Sequence, residues 1–147
     1  MATRAHILEA ARGWVGTKYV HQGRSKALGV DCVGLFVGIC QEIGVELNDT
    51  PELRRYSRQP KRNQPKLLDQ LGTLCGEPLA SVTELQNADL VVFWFNWETH
   101  EPQHVALWTG ETIIHSYTSI GRVVEHGLND WWRERFVCGF RFPGATD

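Results

Sequence analysis

Two patterns of apolar positions divide the chain. Up to Cys75 they recur at helical spacing, and from Asp89 onward they gather in short β-branched and aromatic runs. Ile7, Leu8, Ala11 and Val15 form one stripe that Gly13 and Gly16 close, which predicts a helix over residues 4–13. From Cys32 to Ile43 the chain is apolar on almost every side, with Asp31 as a good N-cap and Gly44 as a stop. A helix hydrophobic all round belongs in a core, and Gly34 and Gly38, four apart, leave one stripe of it smooth enough for close packing. Leu67, Leu68, Leu71 and Leu74 predict a third helix from near Pro65 to Cys75. Strands are predicted over 89–95, 104–109, 112–117, 122–126 and 136–142, with a helical turn over 131–135 capped by Asn129 or Asp130. Helices followed by strands on tight turns is the α+β pattern, an antiparallel sheet of five to six strands with the Cys32 helix packed on it.

Composition narrows this to one domain. The 147 residues are 42% apolar, no internal repeat is present, and no apolar run approaches a membrane span. Residues 45–64 have weak periodicity, and 45–80 reads as an inserted or variable region. Net charge is −2, unevenly spread: Arg54, Arg55, Arg58, Lys61, Arg62 and Lys66 stand together without an acid. With Pro60 and Pro65 among them, they read as a solvated surface loop rather than a nucleic-acid site. The four cysteines, at 32, 40, 75 and 138, show neither a C-x-x-C pair nor a disulfide-framework spacing. They read as reduced thiols, and the charged, amphipathic N-terminal segment reads as no signal peptide, so synthesis is expected in the cytoplasm.

The candidate chemistry begins at Cys32. Unpartnered N–H groups and the dipole at a helix start favour a thiolate, so its pKa is expected to fall below the free value of about 8.5. A thiol nucleophile needs a base, and the base an orienting group. His104 and His115 lie in predicted strands after the cysteine helix; His6, His100 and His126 read as ordinary surface histidines. Gly110-Glu111 suits a two-residue hairpin turn. That register pairs Trp108 with Ile113, Ala106 with His115 and His104 with Tyr117, making the two histidines diagonal neighbours on one face. That face is expected to carry the Cys32 helix.

Several stretches together resemble the NlpC-type family of bacterial cell-wall cysteine peptidases, a branch of the papain-like thiol peptidases. They are Trp14-Val15-Gly16-Thr17-Lys18-Tyr19-Val20, Gly29-Val30-Asp31-Cys32-Val33-Gly34-Leu35, Asp89-Leu90-Val91-Val92-Phe93, His104-Val105-Ala106-Leu107 and Ile114-His115. The closing residues, Gly121 to His126 with Trp131-Trp132 and Phe140-Arg141-Phe142-Pro143, are similar to the branch carried by tailed phages and gene-transfer agents.

The resemblance implies Cys32 as nucleophile, His104 as base and His115 as the residue that orients it. Tyr19 would lie beside the thiol, and Asp31 and His21 would help to position substrate or oxyanion. It implies hydrolysis of amide bonds in peptidoglycan stem peptides, such as the γ-D-glutamyl–diaminopimelyl bond, without cofactor or metal. Tail-tip or hub proteins would be partners, with action in a tail or at the cell wall after delivery. Three positions depart from the family: Val33 replaces a serine, Ala88 a glycine and His21 an aromatic. Alternatives are a structural tail-assembly protein with vestigial activity, a thiol acyltransferase or amidase on the same fold, and a zinc site of Cys32, His104 and His115. That last has suitable ligand types but no zinc-signature spacing.

Overall fold

The computed structural model describes residues 2–47 and 67–147. Most of the inserted region, including the whole basic stretch 54–66, lies outside the described residues.

Helix α1, Arg4–Arg12, starts where the Thr3 hydroxyl accepts the His6 N–H at 3.1 Å, and it buries Ile7, Leu8 and Ala11. Helix α2, Cys32–Glu42, starts where the Asp31 carboxylate accepts the Gly34 N–H at 2.8 Å. Every residue from Val33 to Cys40 is buried, as its all-round apolarity requires. Its two glycines are close-packing positions. A Cβ on Gly34 would fall 1.9 Å from the Gly23 carbonyl oxygen, and one on Gly38 would fall 2.4 Å from the Trp14 ring. Helix α3, Leu67–Cys75, turns Leu67 and Leu71 inward.

These contacts set a paired test. Gly34→Ala drives a methyl into backbone that cannot rotate away, and an overpacked core costs about 1–3 kcal/mol or more. Gly72→Ala in α3 meets nothing within 4 Å and is expected to stabilise by up to about 1 kcal/mol. Urea midpoints should move in opposite directions; a neutral Gly34→Ala would refute the close approach.

The main sheet has five antiparallel strands in the order β7-β6-β5-β4-β8, where β4 is Leu90–Trp94, β5 Pro102–Trp108, β6 Thr112–Tyr117, β7 Arg122–Gly127 and β8 Phe136–Phe140. The short helix α4, Asp130–Glu134, connects β7 to β8, and the Asn129 side chain caps it. The expected α+β architecture is therefore present.

Several short pairings were not anticipated from the sequence. Ala2–Thr3 (β1) runs parallel to Ala145–Thr146 (β9), and Arg24–Ser25 (β2) pairs with Gly29–Val30 (β3). Leu79 bridges to Gly139. Asp89, fully buried, anchors this closure: its carboxylate takes Arg4 and Arg141 guanidinium groups and the Gln86 N–H.

Alternation along the strands makes two cores. Leu90, Val92, Val105, Leu107, Ile114 and Val123 pack with α1 and α2. Val91, Phe93, Ala106 and Ile113 face the other way, against Leu128 and Trp132. The sheet is thus covered on both faces near its centre, with α4 forming part of the second cover.

Candidate active site

The β5–β6 turn keeps the expected register. Trp108 pairs with Ile113 and Leu107 with Ile114, Gly110 has φ +103°, and the Thr109 N–H donates to the Thr112 carbonyl at 2.9 Å. His104 and His115 accordingly leave the sheet on one face, and His104 Nε2 lies 2.6 Å from His115 Nδ1. Both rings are buried.

The face itself is not the one expected. His104 stands opposite Phe93, on the side where Ala106 and Ile113 pack against Trp132. Val105 and Leu107 already fill the α2 side, so alternation sends His104 away from it. Cys32 meets the same strand differently. The backbone N–H groups of Val105 and Val33 both act on its thiol. The sulfur therefore lies against β5 at the residue following His104.

His126 is not an ordinary surface histidine. Its Nε2 lies 2.8 Å from His115 Nε2, and its Nδ1 lies 3.0 Å from the Gly127 carbonyl oxygen. His104, His115 and His126 form one chain of hydrogen bonds from β5 across β6 to the edge strand β7. Trp132 covers it, with ring centroids 6.0, 5.0 and 5.5 Å from the three imidazoles. The sequence carried a signal for this: the histidines are spaced by 11 residues, and β6 and β7 pair His115 with Val124 and Ile113 with His126. That makes His115 and His126 diagonal neighbours, the relation already inferred for His104 and His115.

Electrostatics hold the resting groups neutral. Burial pushes the Cys32 thiol up to about 12, the neighbouring Asp31 charge adds to this, and the Val105 and Val33 N–H groups and Arg24 oppose it. Burial thus acts against the expected low-pKa thiol, desolvation outweighing the helix start. Burial also raises Cys40, Cys75 and Cys138. It lowers His104 to about 3, with the neighbouring His126 imidazole acting in the same direction, and lowers His115 further. Among the described residues no hydrogen bond joins the Cys32 thiol to the His104 ring. Such contacts are commonly long without substrate and tighten when it binds.

Asp31 is the structural pivot of the helix start. It is buried, one oxygen caps Gly34, the other accepts the Gln22 N–H at 2.7 Å, and Arg24 approaches at 3.3 Å. An engaged carboxylate accepts hydrogen bonds, so Asp31 is unsuited to stabilise an oxyanion and instead ties the 21–24 loop to α2. His21 Nδ1 is 4.0 Å from the same carboxylate. Gln22 takes φ +59°, a conformation uncommon outside glycine, and its bond to Asp31 helps to hold it there. Tyr19 is fixed by its backbone, donating to the Gly121 carbonyl at 2.9 Å and bridging to Val30. Ala88 has φ +74° and is fully buried, which accounts for glycine being the usual residue there in the family it resembles.

His104 and His115 project their nitrogens at each other and not toward a common point. Among the described residues no group of three His, Cys, Asp or Glu is arranged to hold a metal ion. No described helix is long and apolar enough to cross a membrane.

An antiparallel sheet bearing buried histidines, with a cysteine at the start of a core helix against it, is the papain-like α+β arrangement. The NlpC/P60 family pattern matches residues 16–141, and the chain belongs to that family. Solved structures share the fold. An NlpC/P60 family protein from Bacillus cereus superposes with TM-score 0.67 at 20% identity over 95% of this chain and 40% of its own. The NlpC/p60 domain of the peptidoglycan hydrolase SagA gives 0.62 at 19% identity, over 94% of this chain and 97% of that domain. The peptidoglycan hydrolase RipB from Mycobacterium tuberculosis gives 0.62 at 18%, over 95% of this chain and 64% of its own. The chain spans about two fifths of the Bacillus cereus protein and of a Staphylococcus aureus lipoprotein-like relative. No curated protein matches it.

Proposed function

We propose that the chain is a cysteine peptidase that hydrolyses amide bonds of peptidoglycan stem peptides. The observation that carries this reading is local. Cys32 meets β5 at Val105, and the histidine chain begins one residue earlier on that strand. Family membership points to cell-wall peptides as the substrate class.

His104 Nδ1, the ring nitrogen not bonded to His115, takes the Cys32 proton, and the thiolate attacks the scissile carbonyl carbon. The Asp31 side chain and carbonyl occupy the Gly34 and Leu35 N–H groups. The Cys32 N–H is thereby left at the helix start as an oxyanion donor, with the Tyr19 hydroxyl as a second. His104 then protonates the leaving nitrogen as the C–N bond breaks. Water, giving its proton to His104, attacks the thioester; acid is released and the thiol re-forms. Burial favours the neutral thiol and the neutral imidazole, so proton transfer accompanies closure of the thiol–imidazole contact rather than preceding it.

His115 orients His104, so the two should differ in magnitude. His104→Ala is expected to lower muropeptide turnover by about 10²–10⁴-fold, the usual worth of a general acid–base, and His115→Ala by less. Chromatography and mass spectrometry of muropeptide digests measure both and identify the bond cut. A His104→Ala protein as active as wild type would refute the assignment, and cleavage only in the presence of an added amine would indicate an acyltransferase.

The favoured bond is γ-D-glutamyl–diaminopimelyl, and the favoured setting is a phage-like tail particle that delivers the enzyme to the wall, docked on tail-tip or hub proteins. The likeness of Gly121–His126, Trp131-Trp132 and Phe140–Pro143 to the phage and gene-transfer-agent branch supports that setting.

A further inference from the structure

We propose that His126 is a positioning residue that sets the tautomers of the whole histidine chain and so leaves His104 Nδ1 free to act as a base. This rests on the reading of His104 as the base. Gly127 O can only accept, so the His126 Nδ1 3.0 Å away carries a proton. Where His126 carries that one proton only, its Nε2 holds a lone pair and His115 Nε2–H donates across the 2.8 Å contact. His115 Nδ1 is consequently an acceptor, and His104 Nε2–H donates to it across 2.6 Å. The proton of His104 is thereby placed on Nε2, and Nδ1 is unprotonated. The opposite polarity would set the His126 Nδ1 lone pair against the Gly127 carbonyl.

Two features favour a built device over a chance contact. His115 is fully buried, so its Nε2 has no bulk water to turn to. Trp132, held by the Asn129 cap on α4, lies over all three rings and restricts their rotation. A backbone carbonyl at the sheet edge thus fixes, through three imidazoles, which nitrogen of His104 is basic. His126 touches neither thiol nor scissile bond and acts only through His115.

The test uses the full chain labelled with ¹⁵N-histidine. Long-range ¹H–¹⁵N imidazole spectra should show His104 and His115 as Nε2–H tautomers and His126 as Nδ1–H. His126→Phe keeps a ring but has no acceptor; His126→Gln can present its amide oxygen to His115. The Phe variant should lose about tenfold or more in kcat with KM nearly unchanged, a smaller loss than the ~10⁴-fold that a wrong tautomer can cause directly beside the base. The Gln variant should recover most of that loss. A His104 Nδ1–H tautomer in the wild type would overturn the proposal, as would equal kcat in the two variants. If the wild type cleaves no muropeptide, the peptidase reading falls, while the tautomer spectra and the Cys32 alkylation rates of both variants still decide this proposal.

Discussion

Cys32→Ala is expected to reduce muropeptide hydrolysis by at least about 10⁴-fold, since loss of a nucleophile removes the covalent route altogether. The fold should persist. Cys32 keeps some exposure in the first turn of α2 although its thiol is desolvated against β5, and Asp31, Gly34 and the Leu35 N–H make the helix start without its sulfur. A melting temperature within about 4 °C of wild type would match a change of roughly 1 kcal/mol for a chain of this size. The thiol itself has a second signature. With its pKa pushed up to about 12, alkylation of Cys32 by iodoacetamide should rise about tenfold per pH unit between pH 7 and 9, because the thiolate is the reacting species. Peptide mapping separates Cys32 from Cys40, Cys75 and Cys138. A rate already level at pH 7 would show a preformed thiolate and overturn the neutral resting pair. Full hydrolysis by Cys32→Ala would end the cysteine-peptidase reading.

What the sequence made legible follows from the physics that acts locally. All-round apolarity put α2 in the core, Asp31 marked its start, and Gly110-Glu111 fixed a register in which alternation places His104 and His115 together. Each depends on neighbours a few residues apart. The face of the sheet does not: it is decided by how Val105 and Leu107 pack beneath α2, and that expectation failed. The Cys32 thiol shifts against the helix-start expectation for a related reason, because burial is a property of the assembled core and here exceeds the helix-start effect. The signal for His126 is equally local, since the β6–β7 register sets it diagonal to His115 one hairpin beyond the β5–β6 pair. In the sequence Trp132 belongs only to the helical turn over 131–135 and to the closing stretch; its place over the imidazoles depends on α4 folding back onto the sheet. Asp31, expected both as the α2 N-cap and as a positioning residue, is seen in the first of these roles, its carboxylate accepting from Gly34 and Gln22 and so organising the loop and helix start.

The second large expected effect is loss of stability in mild acid. Burial lowers His104 from its ordinary value of 6.5 to about 3 and lowers His115 further. In the unfolded chain both take up protons near pH 6.5, while in the folded chain both stay neutral well below that. Between the two values the unfolded state binds more protons, so stability rises with pH and is lost as pH falls from about 6.5 toward 3. The stability is fully present above 6.5. Each group can contribute up to about 1.4 kcal/mol per pH unit in that window. Two such groups falling across two units would remove on the order of 5 kcal/mol, a large share of the roughly 5–15 kcal/mol that holds a domain folded. The carboxylate of Glu125, lowered by its bond to Arg12, titrates below its ordinary 4.5 and so acts later in the descent. Urea midpoints from pH 7.5 to 5 should therefore fall steeply in the wild type. In His115→Asn, which removes one of the two buried imidazoles, they should fall about half as steeply. Midpoints independent of pH over that range would show that the histidine chain is hydrated and protonated in the folded protein. If they fall as expected, the acid limit of activity is set by unfolding, because His104, the proposed base, stays neutral wherever the fold survives.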